Sequence, residues 1–307
     1  VTEHETYDVV VVGGGPGGLS AALVLGRARR RVLVVDAGEP RNRYASHVHG
    51  FLTRDGVPPG ELLELARDEV RGYGVEVRTG TVDGLERDDD ALVVQVDGQA
   101  CVRARRVIAA IGTDDELPDV PGLADGWGLD VLHCPYCHGR EVSGRRVAVL
   151  ATHPHAAHQA RLVRQWTDDL VLLVNDVAEL DDEARETLAS RDVRLAEGAL
   201  ERVERDDDGP LRLHLAGGDV VEVDALFTVP AMRPAHSLLE KLGVSVDQTP
   251  MGPAIGTGDH GRTNVPGVWA VGNVTDPTAQ VVTAASHGAL AGMDVNADLV
   301  EEDFARG

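Results

Sequence analysis

Residues 8–18 read Asp8-Val9-Val10-Val11-Val12-Gly13-Gly14-Gly15-Pro16-Gly17-Gly18, and a helical stretch and a second apolar run at 32–35 follow them directly. Four valines without polar alternation are the pattern of a parallel strand covered by helices on both faces. Gly13, Gly15 and Gly18 then fall at the dinucleotide-binding spacing between strand and helix. Gly13 permits a tight turn, Gly15 lets backbone approach a pyrophosphate, and Gly18 allows close packing of helix on strand. The helix start adds unpaired N–H groups for an anion. Gly13, Gly14, Gly15, Pro16, Gly17 and Gly18 are therefore a candidate cofactor cradle, in a doubly wound α/β fold. Asp36 ends the second strand 18 residues past Gly18, a position suited to accepting hydrogen bonds from an adenosine ribose. The loop alone leaves FAD and NAD equally open.

Outward from this unit, residues 92–96 and 101–108 read as antiparallel strands around an Asp97-Gly98 turn, and the first domain pauses at Ile111-Gly112-Thr113. A second strand–turn–helix pattern begins at Arg146-Val147-Ala148-Val149-Leu150, with another strand at 170–174. After Met232-Arg233-Pro234, the buried run Val268-Trp269-Ala270-Val271 leads through Gly272-Asn273 to a terminal helix from about Thr278. That last segment is expected to return to the first domain. The expected organisation is two Rossmann-like domains, the second inserted into the first: residues 1–113 with 237–307, and 114–236 between them.

Bulk properties narrow the function. A 307-residue chain with 43% hydrophobic content has enough apolar material for two ordinary cores. Its net charge of −22 repels nucleic acid phosphates and anionic lipid. Acidic runs such as Asp88-Asp89-Asp90 and Asp206-Asp207-Asp208 read as solvated turns. Lys241 is the only lysine. No stretch has the pattern of a secretory signal or reaches the roughly 18 apolar residues of a membrane span, so a cytoplasmic protein without membrane or nucleic acid partners is expected. Three cysteines are too few for a disulfide framework, and Cys101, alone in a strand-like run, reads as an inert packed thiol.

The chemistry concentrates in His133-Cys134-Pro135-Tyr136-Cys137-His138-Gly139. Two cysteines separated by two residues at a helix opening can close a disulfide with little rearrangement, and the helix favours a thiolate. Zinc is the rival, but there is no second cysteine pair, and adjacent residues seldom fill four tetrahedral corners. No metal is expected. His138 is a candidate acid–base group or simply a polar residue of the helix's first turn.

These motifs together resemble the low-molecular-weight thioredoxin reductases over nearly the whole chain. Val107-Ile108-Ala109-Ala110-Ile111-Gly112-Thr113 is similar to that family's strand-to-linker motif, and residues 263–273 to its second FAD motif. The resemblance implies FAD as cofactor, a homodimer, and flavin contacts at Ala110, Gly272, Asn273, Gln280 and Val281. It also implies a flavin-covering loop over residues 41–52 carrying His49. Asn273 stands where the family normally has an acid. Cys134 would exchange with substrate, Cys137 would reach the flavin C4a, and His138 replaces the family's aspartate.

The middle domain departs from the family where NADPH should bind. Its turn reads Ala151-Thr152-His153-Pro154-His155-Ala156, without the leading glycines, and Asn175-Asp176-Val177 replaces the basic cluster for the 2′-phosphate. Electrons need another route: from substrate dithiols through flavin to oxygen, or from a protein reductant outward. The first option resembles a subgroup, the thioredoxin-reductase-like dithiol oxidases that close disulfides in dithiolopyrrolone (holomycin-type), epipolythiodioxopiperazine and depsipeptide natural products. The expectation is an FAD-dependent oxidase of a small-molecule dithiol with O2 as acceptor and peroxide as by-product. A reductase linked to ferredoxin or NADPH is the alternative, and a non-turning-over redox sensor the third.

Overall fold

The computed structural model describes residues 5–98, 100–153, 156–176, 180–206, 209–234 and 237–306. Pro154, His155, Val177, Asp207 and Asp208, read above as turn residues, lie outside the described residues.

The valine run forms β1 (Glu5–Val12), followed by α1 (Pro16–Arg27), β2 (Val32–Asp36), α2 (Pro59–Arg71) and β3 (Glu76–Thr79). Next come β4 (Val82–Asp88), β5 (Ala91–Val96), β6 (Ala100–Ala109) and β7 (Thr113–Glu116). The middle of the chain supplies β8 (Val131–Leu132), α3 (Pro135–His138), β9 (Val147–Leu150), α4 (Ala156–Val163), β10 (Leu170–Leu173), α5 (Asp182–Ala189) and β11 (Arg194–Ala196). An antiparallel trio follows, β12 (Leu200–Arg205), β13 (Leu211–Leu215) and β14 (Val220–Val223), then β15 (Ala225–Thr228). The chain closes with β16 (Ala231–Pro234), α6 (Ser237–Glu240), β17 (Val246–Thr249), β18 (Gly252–Ile255), β19 (Val268–Ala270) and α7 (Val281–Arg306).

In the first sheet the order is β3-β2-β1-β6-β5-β4, with β19 also on β6. β1 runs parallel to both neighbours, Val10 facing Leu33 and Val107. Alternate residues of β1 enter opposite cores, which is why the run shows no polar alternation. Val10 and Val12 join Leu33, Val35 and Val107 on one face. Val9 and Val11 join Leu19, Leu25, Ile108 and Val295 on the other. β5 and β6 pair antiparallel around the turn at Asp97 and Gly98, as read from the sequence, and β4 adds a further antiparallel strand that was not anticipated. β19 lies parallel to β6 with Trp269 beside Ile108, so the C-terminal segment completes the first sheet.

The second sheet has the order β11-β10-β9-β15-β8, all pairs parallel. Both sheets are thus Rossmann-like, and the second is inserted into the chain of the first. One compact unit comprises the chain up to Arg43, Val57–Asp115 and Met232–Gly307; the other comprises Tyr44–Gly56 and Glu116–Ala231. Against the boundaries expected from sequence, the main difference is Tyr44–Gly56, which joins the second unit. Contacts explain it: a Cβ on Gly128 would sit 2.7 Å from Tyr44, and His49 pairs with Glu141. Among the described residues, no helix is long and apolar enough to cross a membrane.

α7 reaches the first unit's core by laying backbone on α1. A Cβ at Gly288 would stand 1.8 Å from the Gly17 carbonyl oxygen, and one at Gly292 2.9 Å from that of Ala21. Gly288→Ala should therefore lower unfolding stability by about 1–3 kcal/mol through forced separation of the helices. Gly60→Ala, where nothing lies within 4 Å of the added carbon, should be neutral or stabilising by up to ~1 kcal/mol. Denaturant unfolding of the two variants checks the contrast; equal losses would contradict it.

Candidate active site

The glycine loop is shaped by what its backbone touches. Gly13 has φ 103°, its N–H donates to the Val35 carbonyl at 2.8 Å, and a Cβ there would lie 2.3 Å from the Ala110 carbonyl oxygen. A Cβ at Gly18 would meet the Gly13 carbonyl oxygen at 1.9 Å. Gly15 differs: nothing lies within 4 Å of its would-be Cβ. It caps α1 without a side-chain hydrogen bond, Pro16 opens the helix, and the first intrahelical donor is Leu19 N–H to the Gly15 carbonyl. The N–H groups of Gly17 and Gly18 consequently have no intrahelical acceptor. The arrangement is an anion cradle with open space over Gly15.

Asp36 closes one end of it. Its Oδ1 accepts the Gly14 N–H at 3.0 Å, and its Oδ2 pairs with Arg67 at 3.0 Å. Beside it is a cavity of about 300 Å³ lined by Asp36, Gly38, Arg67, Arg71, Val77 and Thr79. That polar pocket suits the ribose end of a dinucleotide. Arg67 was not identified from sequence, because only the docking of α2 against α1 and β3 brings it to Asp36.

Gly272, Asn273, Gln280 and Val281 belong to this same unit, at the turn after β19 and the start of α7. Asn273 Nδ2 donates to the carbonyls of Asp276, Pro277 and Ala279 at 3.0–3.2 Å. A carboxylate could donate to none of them. This accounts physically for asparagine where the family has an acid: its amide nitrogen knits the turn into α7, and its oxygen remains the acceptor. Arg41, the first residue of the loop likened to a flavin cover, braces the same turn. It holds Asp115 at 2.6 Å and donates to the Pro277 carbonyl at 2.7 Å.

Two buried polar atoms without a partner, Thr113 Oγ1 and His287 Nδ1, lie in this unit. Thr113 follows the end of β6, and His287 precedes the glycine packed on Gly17. Orphaned buried polar atoms are costly unless a ligand or water completes them. Together with the open space over Gly15, they fit a bound flavin nucleotide. Residues 13–18, Asp36 and Asn273 would hold it, and it would supply reversible two-electron chemistry.

The cysteines sit in the second unit and form a disulfide, Cys134–Cys137, with Cα atoms 5.2 Å apart. α3 spans only Pro135–His138, so a macrodipole contributes little, contrary to the emphasis of the sequence reading. What remains is local: Cys134 Sγ caps the turn and accepts the Cys137 N–H at 3.2 Å. One N–H aimed at that sulfur favours its thiolate after reduction. Tyr136 is 65% exposed and stands edge-on to Trp166, ring centroids 5.9 Å apart. Gly139 is needed there because a Cβ would come within 2.6 Å of the Trp166 ring. Gln159, 6% exposed, donates from Nε2 to the His133 carbonyl at 2.8 Å and fixes the strand end that delivers Cys134. Burial pushes the His138 imidazole below its ordinary pKa, nearby Glu141 opposes that shift, and His49 adds to it. Cys101 is a half-buried thiol outside the disulfide, on β6 of the other unit.

His49, expected among the flavin contacts, lies on the Tyr44–Gly56 piece of the second unit. Its Nδ1 lies 3.4 Å from Asp55 and its Nε2 3.5 Å from Glu141. The remaining flavin-site residues named from sequence share the first unit, and Cys134, Cys137 and His138 share the second.

In a doubly wound sheet a cofactor lies across the strand ends where the order reverses, here between β9 and β15. Hydrogen bonds link the strand ends there. Thr152 Oγ1 donates to the Val229 carbonyl at 2.6 Å and lies 3.3 Å from Thr228 Oγ1. Asn175 continues the seam, donating to the Ala151 carbonyl at 2.9 Å and accepting the Leu200 N–H at 2.8 Å. The replaced glycines were legible in sequence; the hydrogen bonds that fill their place were not.

A family model described as pyridine nucleotide-disulphide oxidoreductase matches residues 7–289. A thioredoxin reductase of Leptosphaeria maculans, sirT, is 30% identical over 97% of this chain and 96% of its own. The crystal structure of HlmI matches with a TM-score of 0.91 and 48% identity, covering 98% of this chain and 95% of that one. An oxidoreductase from Agrobacterium tumefaciens matches with a TM-score of 0.91 and 38% identity, over 96% and 99% of the two chains.

Open space over Gly15 separates ligand binding from folding. Gly15→Ala should leave the thermal midpoint of the apoprotein unchanged, while the added carbon, at a cost of ~1–3 kcal/mol against the ligand, weakens FAD binding roughly 10- to 100-fold. Fluorescence titration of the apoprotein checks this; unchanged affinity would remove the loop from the flavin site.

Proposed function

The chain belongs to the pyridine nucleotide-disulphide oxidoreductase family as a thioredoxin-reductase-like flavoprotein, and on that footing we propose that it oxidises a small-molecule dithiol to its intramolecular disulfide, with FAD as cofactor and O2 as final acceptor. The observation that carries the reading is the pairing of a formed Cys134–Cys137 disulfide with the Thr152 seam across the second unit's crevice. A unit that keeps its redox pair while hydrogen bonds occupy its nucleotide crevice has a reason to take electrons from thiols.

His138, held largely neutral by burial, takes the proton of the first substrate thiol. The resulting thiolate attacks Cys134 Sγ, the S–S bond breaks, and Cys137 leaves as thiolate. The second substrate thiol attacks the substrate sulfur of the mixed disulfide and releases Cys134. The substrate has lost two electrons and two protons, and the enzyme holds a dithiol. Bound FAD would accept that electron pair and pass it to O2, giving H2O2. Tyr136, exposed between the cysteines, offers an aromatic edge against which a compact apolar dithiol can pack.

The substrate class is the dithiol precursor of a disulfide-bearing natural product, formed in its biosynthesis or in self-protection against it. A cytoplasmic homodimer accompanies the reading, as family resemblance implies. The competing reading, reduction of a protein disulfide, is favoured by the name thioredoxin reductase carried by sirT.

Oxygen-electrode assays with the FAD-loaded protein and a small dithiol test the proposal. Dithiol-dependent O2 uptake with stoichiometric peroxide is expected, and Cys134→Ser should reduce it at least about 1000-fold by removing the attacked sulfur. No uptake with any of a panel of vicinal and medium-ring dithiols, combined with turnover on thioredoxin disulfide, would establish the reductase instead.

A further inference from the structure

Asp55, His49, Glu141 and His138 form a line of alternating acid and imidazole that ends beside Cys137. Two of its links join side chains, and the third, from Glu141 to His138, is a backbone hydrogen bond. Asp55 Oδ1 accepts the Gly50 N–H at 2.8 Å and its Oδ2 faces His49 Nδ1 at 3.4 Å. His49 Nε2 faces Glu141 Oε1 at 3.5 Å. The Glu141 N–H donates to the His138 carbonyl at 3.2 Å, closing a turn that sets the two side chains three residues apart. Asp55 is held below the ordinary carboxylate range, first by the Gly50 N–H and then by His49, so it remains an anion behind His49. Neither His49 nor Asp55 comes from the redox segment; both arrive on the inserted piece Tyr44–Gly56.

We propose that Glu141 is the positioning carboxylate that sets the basicity of His138, and that His49, fixed by Asp55, competes with His138 for it. The inference rests on the dithiol-oxidase reading only in taking His138 as the group that moves the thiol proton. When His138 accepts that proton it becomes a half-buried cation, and Glu141 is the anion placed to stabilise it. A protonated His49 draws on the same carboxylate and weakens that support. The charged groups acting on His138 carry the matching signs: Glu141 raises its pKa and His49 lowers it, against a burial effect that lowers it further. Family pattern has an acid at the position of His138; here an acid, Glu141, stands three residues later.

The sign of each substitution follows. Removing the Glu141 charge takes away the group favouring the imidazolium, so the His138 midpoint falls and the acid limb of the rate profile moves to lower pH, with a weaker base on the plateau. Removing His49 takes away a group opposing the imidazolium, so the midpoint and the limb move up. Opposite shifts from two residues in contact are not what a merely structural role produces.

The test uses the FAD-loaded, oxidised enzyme, with the Cys134–Cys137 disulfide intact and labelled histidine. His138 ring resonances, assigned by their loss in His138→Asn, are followed against pH in the wild type, Glu141→Gln, Glu141→Asp and His49→Gln, alongside kcat/KM against pH with a small dithiol. Expected are a fall of about half a pH unit or more in Glu141→Gln, recovery in Glu141→Asp, and a rise in His49→Gln. The acid limb of kcat/KM should follow in each variant, with a plateau roughly 3- to 10-fold lower in Glu141→Gln. Unmoved midpoints, or shifts of the same sign in Glu141→Gln and His49→Gln, overturn the proposal. Opposite shifts in an enzyme that oxidises no dithiol would uphold the coupling and reject the oxidase reading, so the two failures remain distinct.

Discussion

The contact of the Gly288 Cα with the backbone of Gly17 governs the first unit. There the carbonyl oxygen of Gly17 occupies the place a side chain would need, 1.8 Å from a would-be Cβ. The first unit is assembled from pieces far apart in sequence, and this contact seats the C-terminal helix on the first one. Through it the turn after β19, with Gly272 and Asn273, joins the unit of the Gly13–Gly18 loop. Apolar burial supplies most of the stability, as the fully buried Val9, Val10 and Val11 show. Backbone proximity supplies the geometry, because only residues without a side chain allow helices to approach so closely. The anion cradle depends on it in turn: α1 must be held with its N-terminus open and Gly15 unobstructed.

The second unit shows how one topology can lose a ligand without losing its fold. Its parallel sheet keeps the strand order in which a cofactor crevice would form. What fills the crevice is polar and short-range. Thr152 satisfies a carbonyl beyond β15, and Asn175 ties the ends of β9 and β10 to the start of β12. Glycine at 152 would leave the Val229 carbonyl without its Thr152 donor, whereas the Ala151 carbonyl that Asn175 uses is backbone and would survive a glycine there. The strain-prone conformation of Asn175, φ 56°, is maintained by the two hydrogen bonds of its own side chain. The redox segment, by contrast, is positioned from outside the crevice, by Gln159, by Trp166 against Gly139 and by the Tyr44–Gly56 piece.

What could be read from the sequence was whatever is encoded within a few residues. The valine run, the glycine spacing and the Cys-Pro-Tyr-Cys-His segment each carry their structural consequence locally, so the doubly wound fold and the redox pair were legible. Replacement of the second glycine loop was equally plain. Long-range pairings were not. Arg67 reaches Asp36 and Arg41 reaches Asp115 only after helix and loop have docked, and arginines abound in this chain without any local mark of distinction. The partners of His49 were equally hidden: Asp55 and Glu141 meet it only once the second unit has folded. The four-residue length of α3 was also hidden, and with it the fact that a single N–H, not a helix dipole, acts on Cys134.

The central claim is that electrons enter this flavoprotein from thiols and not from a nicotinamide. The most direct measurement is an anaerobic titration of the oxidised holoenzyme, following flavin absorbance, with a small dithiol in one cuvette and NADPH or NADH in another. Bleaching that reaches completion with about two equivalents of dithiol, one for the Cys134–Cys137 disulfide and one for the flavin, and no bleaching by either nicotinamide, is the expected result. Rapid, stoichiometric bleaching by NADPH would mean that the Thr152 seam opens to admit the nucleotide, and the protein would then be a conventional reductase.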